Sequence, residues 1–148
     1  MASLHDFVKT AEMRKKVIDH SLRVLDAEVA DKRGLGGIAV KAGYKVVNGI
    51  HPKFIRGVVD ALLDEFLDAL DPIYREALEK SISPRDHLVA NPDRVAESLL
   101  AITDAKALKA KNKLVKKTYE KLRSGAKEHV IAAVPRLGDM LATYVAAA

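Results

Sequence analysis

The chain has 148 residues, 49% of them hydrophobic, and carries 25 Lys+Arg against 20 Asp+Glu for a formal net charge of +5. That length and composition lie in the globular range and exclude wholesale disorder, so one domain over 1–148 is expected. The absence of cysteine excludes disulfides, thiolate metal sites and cysteine nucleophiles, and no apolar run reaches the ~18 residues of a membrane span. Met1 to Arg14 contains acids and no apolar core, unlike a secretory signal, so the expected location is the cytoplasm.

In chain order, Leu4, Val8, Ala11, Ile18, Leu22, Leu25 and Val29 follow helical spacing. Ser3 with Asp6 forms a capping signature, and the glycines at 34, 36 and 37 end the predicted helix near Lys32. A short helix is predicted from Gly37 to Asn48. Pro52 opens the third helix, whose apolar side holds Ile55, Val58, Val59, Leu62, Leu63, Phe66, Leu67 and Leu70. Asp71-Pro72 predicts a break or a kink in it, with Pro72 to Lys80 reading as a further short helix. Ser81 to Pro92 reads as a loop, and Asn91 with Pro92 as the start of a helix reaching toward Arg123, with Asn112 as its candidate break. Gly125 interrupts the pattern before Ala126 to Val134, and Pro135 starts or kinks a last helix carrying Leu137, Met140, Leu141, Tyr144 and Val145. No alternation of strand period exceeds a few residues. The prediction is an all-α fold, a single compact bundle of about six helices.

No catalytic motif stands out. Gly34-Leu35-Gly36-Gly37-Ile38-Ala39 has the glycine spacing of a dinucleotide fingerprint, but that motif works between a strand and a helix, and here a charged helix end precedes it. Gly36, Ala39 and Gly43 read instead as a small-residue stripe that lets another helix approach. Lys32, Arg33, Gly36, Gly37 and Lys41 form a candidate anion site, where basic side chains meet the free N–H groups of a helix start. The five histidines are scattered, with no pair at metal-ligand spacing, so neither a metal nor a cofactor is expected. The serines lie in no nucleophile elbow, and the paired acids lie on a polar helix face. The reading leans away from an enzyme.

The charges are sorted by segment. Residues 1–56 carry a net +5, residues 57–104 a net −7 and residues 105–148 a net +7. Asp60, Asp64, Asp68 and Asp71 share one face of the third helix. Lys106, Lys109, Lys113, Lys116, Lys117 and Lys121 fall within an arc of about 140° on a continuous helix. Like charges at i and i+4 repel, so a facing stripe of opposite sign is the simplest compensation, within the fold or between subunits. The expected function is a non-enzymatic interaction protein that self-associates, or binds another protein, through faces of opposite charge. The alternative is salt-sensitive binding of nucleic acid or an anionic surface through the Lys106–Lys121 face. Against nucleic acid stand only seven Phe+Tyr, no Trp and no known reader motif.

Asp26-Ala-Glu-Val-Ala-Asp-Lys-Arg-Gly-Leu-Gly-Gly-Ile-Ala-Val-Lys-Ala-Gly-Tyr-Lys45, Ile102-Thr-Asp-Ala-Lys106 and Pro135-Arg-Leu-Gly-Asp139 resemble runs in a family of small bacterial, largely actinobacterial proteins of unknown function. The resemblance spans nearly the whole chain. It implies one all-helical cytoplasmic domain and supplies no activity, ligand or site residue.

Overall fold

A computed structural model describes residues 3–147, with side chains described through Val145. A 3-10 turn, Leu4–Val8, precedes six α-helices: α1 (Ala11–Asp31), α2 (Gly34–Asn48), α3 (Phe54–Glu79), α4 (Pro84–Ala90), α5 (Pro92–Leu108) and α6 (Lys113–Ala147). There is no strand among the described residues. The all-α class and the helix number agree with the sequence reading.

Several boundaries differ from the predicted ones, each for a local reason. The first predicted helix is split, because the Thr10 hydroxyl accepts the Met13 N–H at 3.1 Å and caps α1 there. Ser3 does start the preceding turn, donating its N–H to Asp6 Oδ2 at 2.9 Å. α2 begins at Gly34 rather than Gly37, and Gly34 takes φ +70°, a left-handed conformation that suits glycine. α3 runs through Pro72, and α6 through both Gly125 and Pro135. Both prolines are exposed. Each costs one backbone hydrogen bond, while the buried residues beyond them, Ile73, Tyr74 and Ala77 on α3 and Gly138 on α6, keep the helix packed. The predicted loop over Ser81–Pro92 contains α4, with Ser83 accepting the Asp86 N–H at 3.4 Å and Pro84 in the first helical position. Asn112 is a real break: its Oδ1 accepts the N–H groups of Leu114 at 2.9 Å and Val115 at 3.2 Å, which caps α6.

The core has two clusters strung along α3. Val8, Val17, Ile18 and Leu63 form the first, with Leu22, Val59, Leu67 and Tyr144 against it. Ile73, Leu88, Val95 and Val134 form the second, with Leu70, Val89, Leu99 and Leu141 against it. An apolar cavity of about 60 Å³ lies where they meet, lined in part by Leu4, Val17, Leu88 and Met140. Phe7 of the 3-10 turn meets Tyr74 of α3 edge-on, ring centroids 6.4 Å apart.

Glycines set the closest helix approaches. A Cβ on Gly43 would lie 2.9 Å from Leu122 Cδ1 and 3.2 Å from Thr118 Cγ2, so α2 sits directly on α6. Gly36 faces the His129 ring, whereas Ala39 of the expected small-residue stripe is exposed. Gly43→Leu is expected to cost about 1–3 kcal/mol in urea unfolding by overpacking this seam. Gly57→Ala, with open space around the position, is the control and should not destabilise.

Candidate interaction surface

The acidic stripe finds its partners inside the chain, and they differ from those its charge pattern suggested. Arg14 of α1 reaches α3 with Nε 2.8 Å from Asp60 Oδ1 and Nη1 3.0 Å from Asp64 Oδ1, and Nη2 donates to the Asp60 carbonyl at 2.8 Å. His5 Nδ1 stands 3.0 Å from Asp68 Oδ1. Asp71 accepts the Leu4 N–H at 2.9 Å and the Arg75 Nε–H at 2.6 Å. The Arg14 guanidinium holds Asp64 below the ordinary carboxylate range. The stripe therefore anchors the N-terminal turn and α1 to α3, and the lysine stripe does not face it.

The lysine stripe is not one surface. Lys106 lies on α5 and Lys109 is its C-cap, while Lys113, Lys116, Lys117 and Lys121 belong to α6. The Asn112 cap turns the chain between them, so the continuous arc predicted for Lys106–Lys121 does not form. Lys106 pairs with Glu65 of α3 at 2.9 Å. Lys109, Lys113, Lys116, Lys117 and Lys121 pair with no acid among the described residues.

The segmental charge sorting is spent mostly on helix-to-helix ties. Arg123 of α6 holds Asp104 of α5 through Nε at 2.8 Å and Nη2 at 3.1 Å, and Lys127 meets Glu97 at 3.0 Å. Arg85 of α4 meets Asp139 of α6 at 2.7 Å. On α3, Glu76 takes Arg94 at 2.9 Å and His87 at 2.8 Å. Arg94, and then His87, hold the Glu76 carboxyl down to about 2.

The candidate anion site is not assembled. Lys32 Nζ is committed to Glu28 at 3.0 Å and to the His129 carbonyl at 3.3 Å, with its side chain only 11% exposed. Gly37 is buried against the Lys32 backbone, and its N–H is taken by the Arg33 carbonyl at 3.1 Å. Gly36 faces His129, Arg33 points to solvent, and Lys41 lies about two turns along α2. An open groove of about 400 Å³ beside Arg14, Lys15, Lys53 and Arg56 is equally spoken for. Arg14 is held by Asp60 and Asp64, and Lys15 and Arg56 by Asp19, which leaves Lys53 alone unpaired there. Among the described residues, no group of three or more His, Asp or Glu is placed to hold a metal ion.

What remains unsatisfied is the outer face of α2. Its inner side packs on α6 through Gly43 and is tied to α1 by the Tyr44 hydroxyl donating to Asp26. Burial, and then Asp26, raise the Tyr44 phenol to about 12. Its outer side shows Leu35 at 88%, Ile38 at 66% and Val46 at 43% exposure. With Ala39 and Ala42, these residues occupy about 100° of the helix circumference. α2 contains no acid, and its Lys41 and Lys45 border the apolar strip on one side. The other border belongs to α6. Thr118 touches α2 at Gly43, and the exposed Leu114 and Lys121 lie within about 60° of Thr118 on the same helix, with the exposed Lys117 about 100° from it on the same side. The surface is an apolar ridge with lysines along both edges.

Sequence reasoning placed Leu35 in the glycine segment before the predicted Gly37–Asn48 helix and gave the exposed side of that helix no role. The available signal was that α2 is apolar on both sides while carrying two lysines and no acid. No helix among the described residues is long and apolar enough to cross a membrane. Comparison with curated proteins and with solved structures gives no match. The family model of DUF6918, a family of unknown function, matches residues 4–145, and the chain belongs to that family.

Proposed function

We propose that the protein is a non-enzymatic interaction module that docks, through the outer face of α2 and the first turns of α6, onto an anionic partner with an apolar component. The observation that carries this reading is the exposed strip Leu35, Ile38 and Val46 on a helix with lysines and no acid. Exposed leucine and isoleucine side by side leave apolar surface in water that a partner would cover. The unpaired lysines beside them favour negative charge in that partner.

Self-association through the two charged stripes is a weaker form of the same reading, because Asp60, Asp64, Asp68 and Asp71 already have partners within the subunit. Two α2 ridges packed against each other would bury the apolar strip but bring Lys41 and Lys45 of both copies together.

A photo-crosslinking residue at position 38, in the full chain and in the cells that make it, tests the reading. An adduct, to protein or to lipid, is expected at position 38. The control is position 12, where the Glu12 side chain is 83% exposed on α1 away from the strip. Equal labelling at the two positions would remove the reading.

A further inference from the structure

The docking face can be assigned an occupant from its shape and chemistry, and this assignment rests on the reading just given. We propose that α2 lies in the plane of an anionic lipid bilayer, with Leu35, Ile38, Ala42 and Val46 among the acyl chains and Lys41, Lys45, Lys117 and Lys121 at the lipid phosphates.

Shape argues first. The strip is a convex ridge on a helix of 15 residues, about 22 Å long, and Leu35 stands out from it almost wholly exposed. A protein partner must offer a matching groove to cover such a ridge. A bilayer parts around it without preformed complementarity, as it does for interfacial helices whose apolar face sinks to the level of the headgroups.

Charge argues second, and from both edges. Lys41 and Lys45 flank the strip on α2, and Lys117 and Lys121 flank it from α6, none of them paired with an acid among the described residues. Lysines in such border positions extend aliphatic stems along the apolar strip and carry the ammonium out to the phosphates. Glu128, next to the His129 that faces Gly36, marks the limit of the basic border at the Leu35 end. The support behind the ridge is rigid, since the seam against α6 leaves no room for even a Cβ at Gly43.

The same features disfavour nucleic acid. Apolar side chains occupy the middle of the surface, where phosphates would have to lie. The nearest tyrosines, Tyr44 and Tyr119, are half-buried between helices with their hydroxyls held by Asp26 and Asp104, so neither stands out as an exposed stacking platform. A second copy is disfavoured by the absence of any acid on α2.

The test is flotation of the full chain with vesicles of phosphatidylcholine alone and of phosphatidylcholine with about 30% phosphatidylglycerol. Binding to the anionic vesicles is expected at about 0.1 M salt, at least about tenfold weaker on the neutral ones, and weakening as salt is raised. Leu35→Ser with Ile38→Ser should lower binding at least about tenfold, and so should Lys41→Glu with Lys45→Glu. Both pairs are exposed, so their helicity and unfolding midpoints should match the unsubstituted chain, which separates lost binding from lost folding.

Anionic-vesicle binding that ignores the Leu35 and Ile38 substitutions would overturn the assignment, because charge alone would then be acting. No vesicle binding, with position 38 crosslinking to protein, would overturn the lipid assignment and leave the docking reading standing. A dimer in sedimentation that Ile38→Ser abolishes would give the face to a second copy, and duplex DNA binding that survives the Leu35 and Ile38 substitutions would give the lysines to nucleic acid. Either result would overturn it too.

Discussion

Ile73→Ala is expected to destabilise the protein by about 3–4 kcal/mol, read as a shift of the urea midpoint with an unchanged slope. Ile73 is 1% exposed and sits in the second core cluster with Leu88, Val95 and Val134, each from a different helix. Four helices therefore lose contacts when its methyl groups are removed, and a cavity ringed by helix backbones closes poorly. Ile38→Ala is the matched control: the same atoms are deleted from a side chain 66% exposed, and the change should stay within about 0.5 kcal/mol. A second expectation follows from α3 and α6 running through both clusters. Helix content by far-ultraviolet dichroism and the tyrosine environment of the first cluster, where Tyr144 packs, should be lost in one transition. A loss below about 1 kcal/mol in Ile73→Ala, or two separated transitions, would mean that the second cluster is not a core shared by the whole chain.

The helical periodicity that identifies such positions was legible because it is local. Apolar residues three and four apart mark a face whatever lies opposite, so most of the buried sides of α1 and α3 follow from spacing alone. The helix ends were harder to read. Pro72, Gly125 and Pro135 carry the local chemistry of breaks, yet each is spanned, because packing of Ile73, Tyr74 and Gly138 outweighs one lost hydrogen bond or a modest propensity cost. Conversely, Thr10 and Ser83 do start helices, and their signals are short polar-proline or polar-acid patterns that also occur in loops.

The charged stripes show the same limit on the functional side. Repulsion along Asp60–Asp71 did indicate that compensation was needed. Which group supplies it depends on tertiary placement, and Arg14, 46 residues away in sequence from Asp60, carries no mark of that role in its own segment. The α2 ridge was illegible for the opposite reason: exposed and buried apolar residues look alike until the neighbours of one face are known. The sequence pattern places Leu35 in the glycine segment between two helices and Ile38 in the first turn of a short helix, and only the position of Gly43 against Leu122 fixes which side is left uncovered.

Glu28→Gln should cost about 2–3 kcal/mol, and the loss should be nearly independent of salt. Glu28 is 7% exposed at the end of α1, where it accepts from Lys32 Nζ at 3.0 Å and from Arg136 Nη1 at 2.7 Å. The amide keeps the size of the side chain but removes the charge and replaces one of its two acceptor oxygens by an NH2 donor, so Lys32, itself nearly enclosed, and Arg136 share one neutral oxygen where each had a carboxylate oxygen of its own. Arg136 keeps Asp31, which is why the expected cost stays below that of stripping a fully buried pair. Pairing Glu28→Leu with Lys32→Met should recover much of the stability lost by Glu28→Gln, since two apolar groups remove both buried charges together. The junction also has a place in the proposed function. Glu28, Lys32 and the His129 carbonyl fix the angle at which the chain leaves α1 and enters α2, and Gly37 is pressed against the Lys32 backbone, 2.7 Å from where its Cβ would be. Loosening that clamp should raise protease cleavage around Gly34–Gly37 and weaken anionic-vesicle binding, although no residue of the α2 ridge has been altered. Full vesicle binding by a destabilised Glu28→Gln chain would show that the ridge acts as an independent helix and does not depend on the rigid seam behind it.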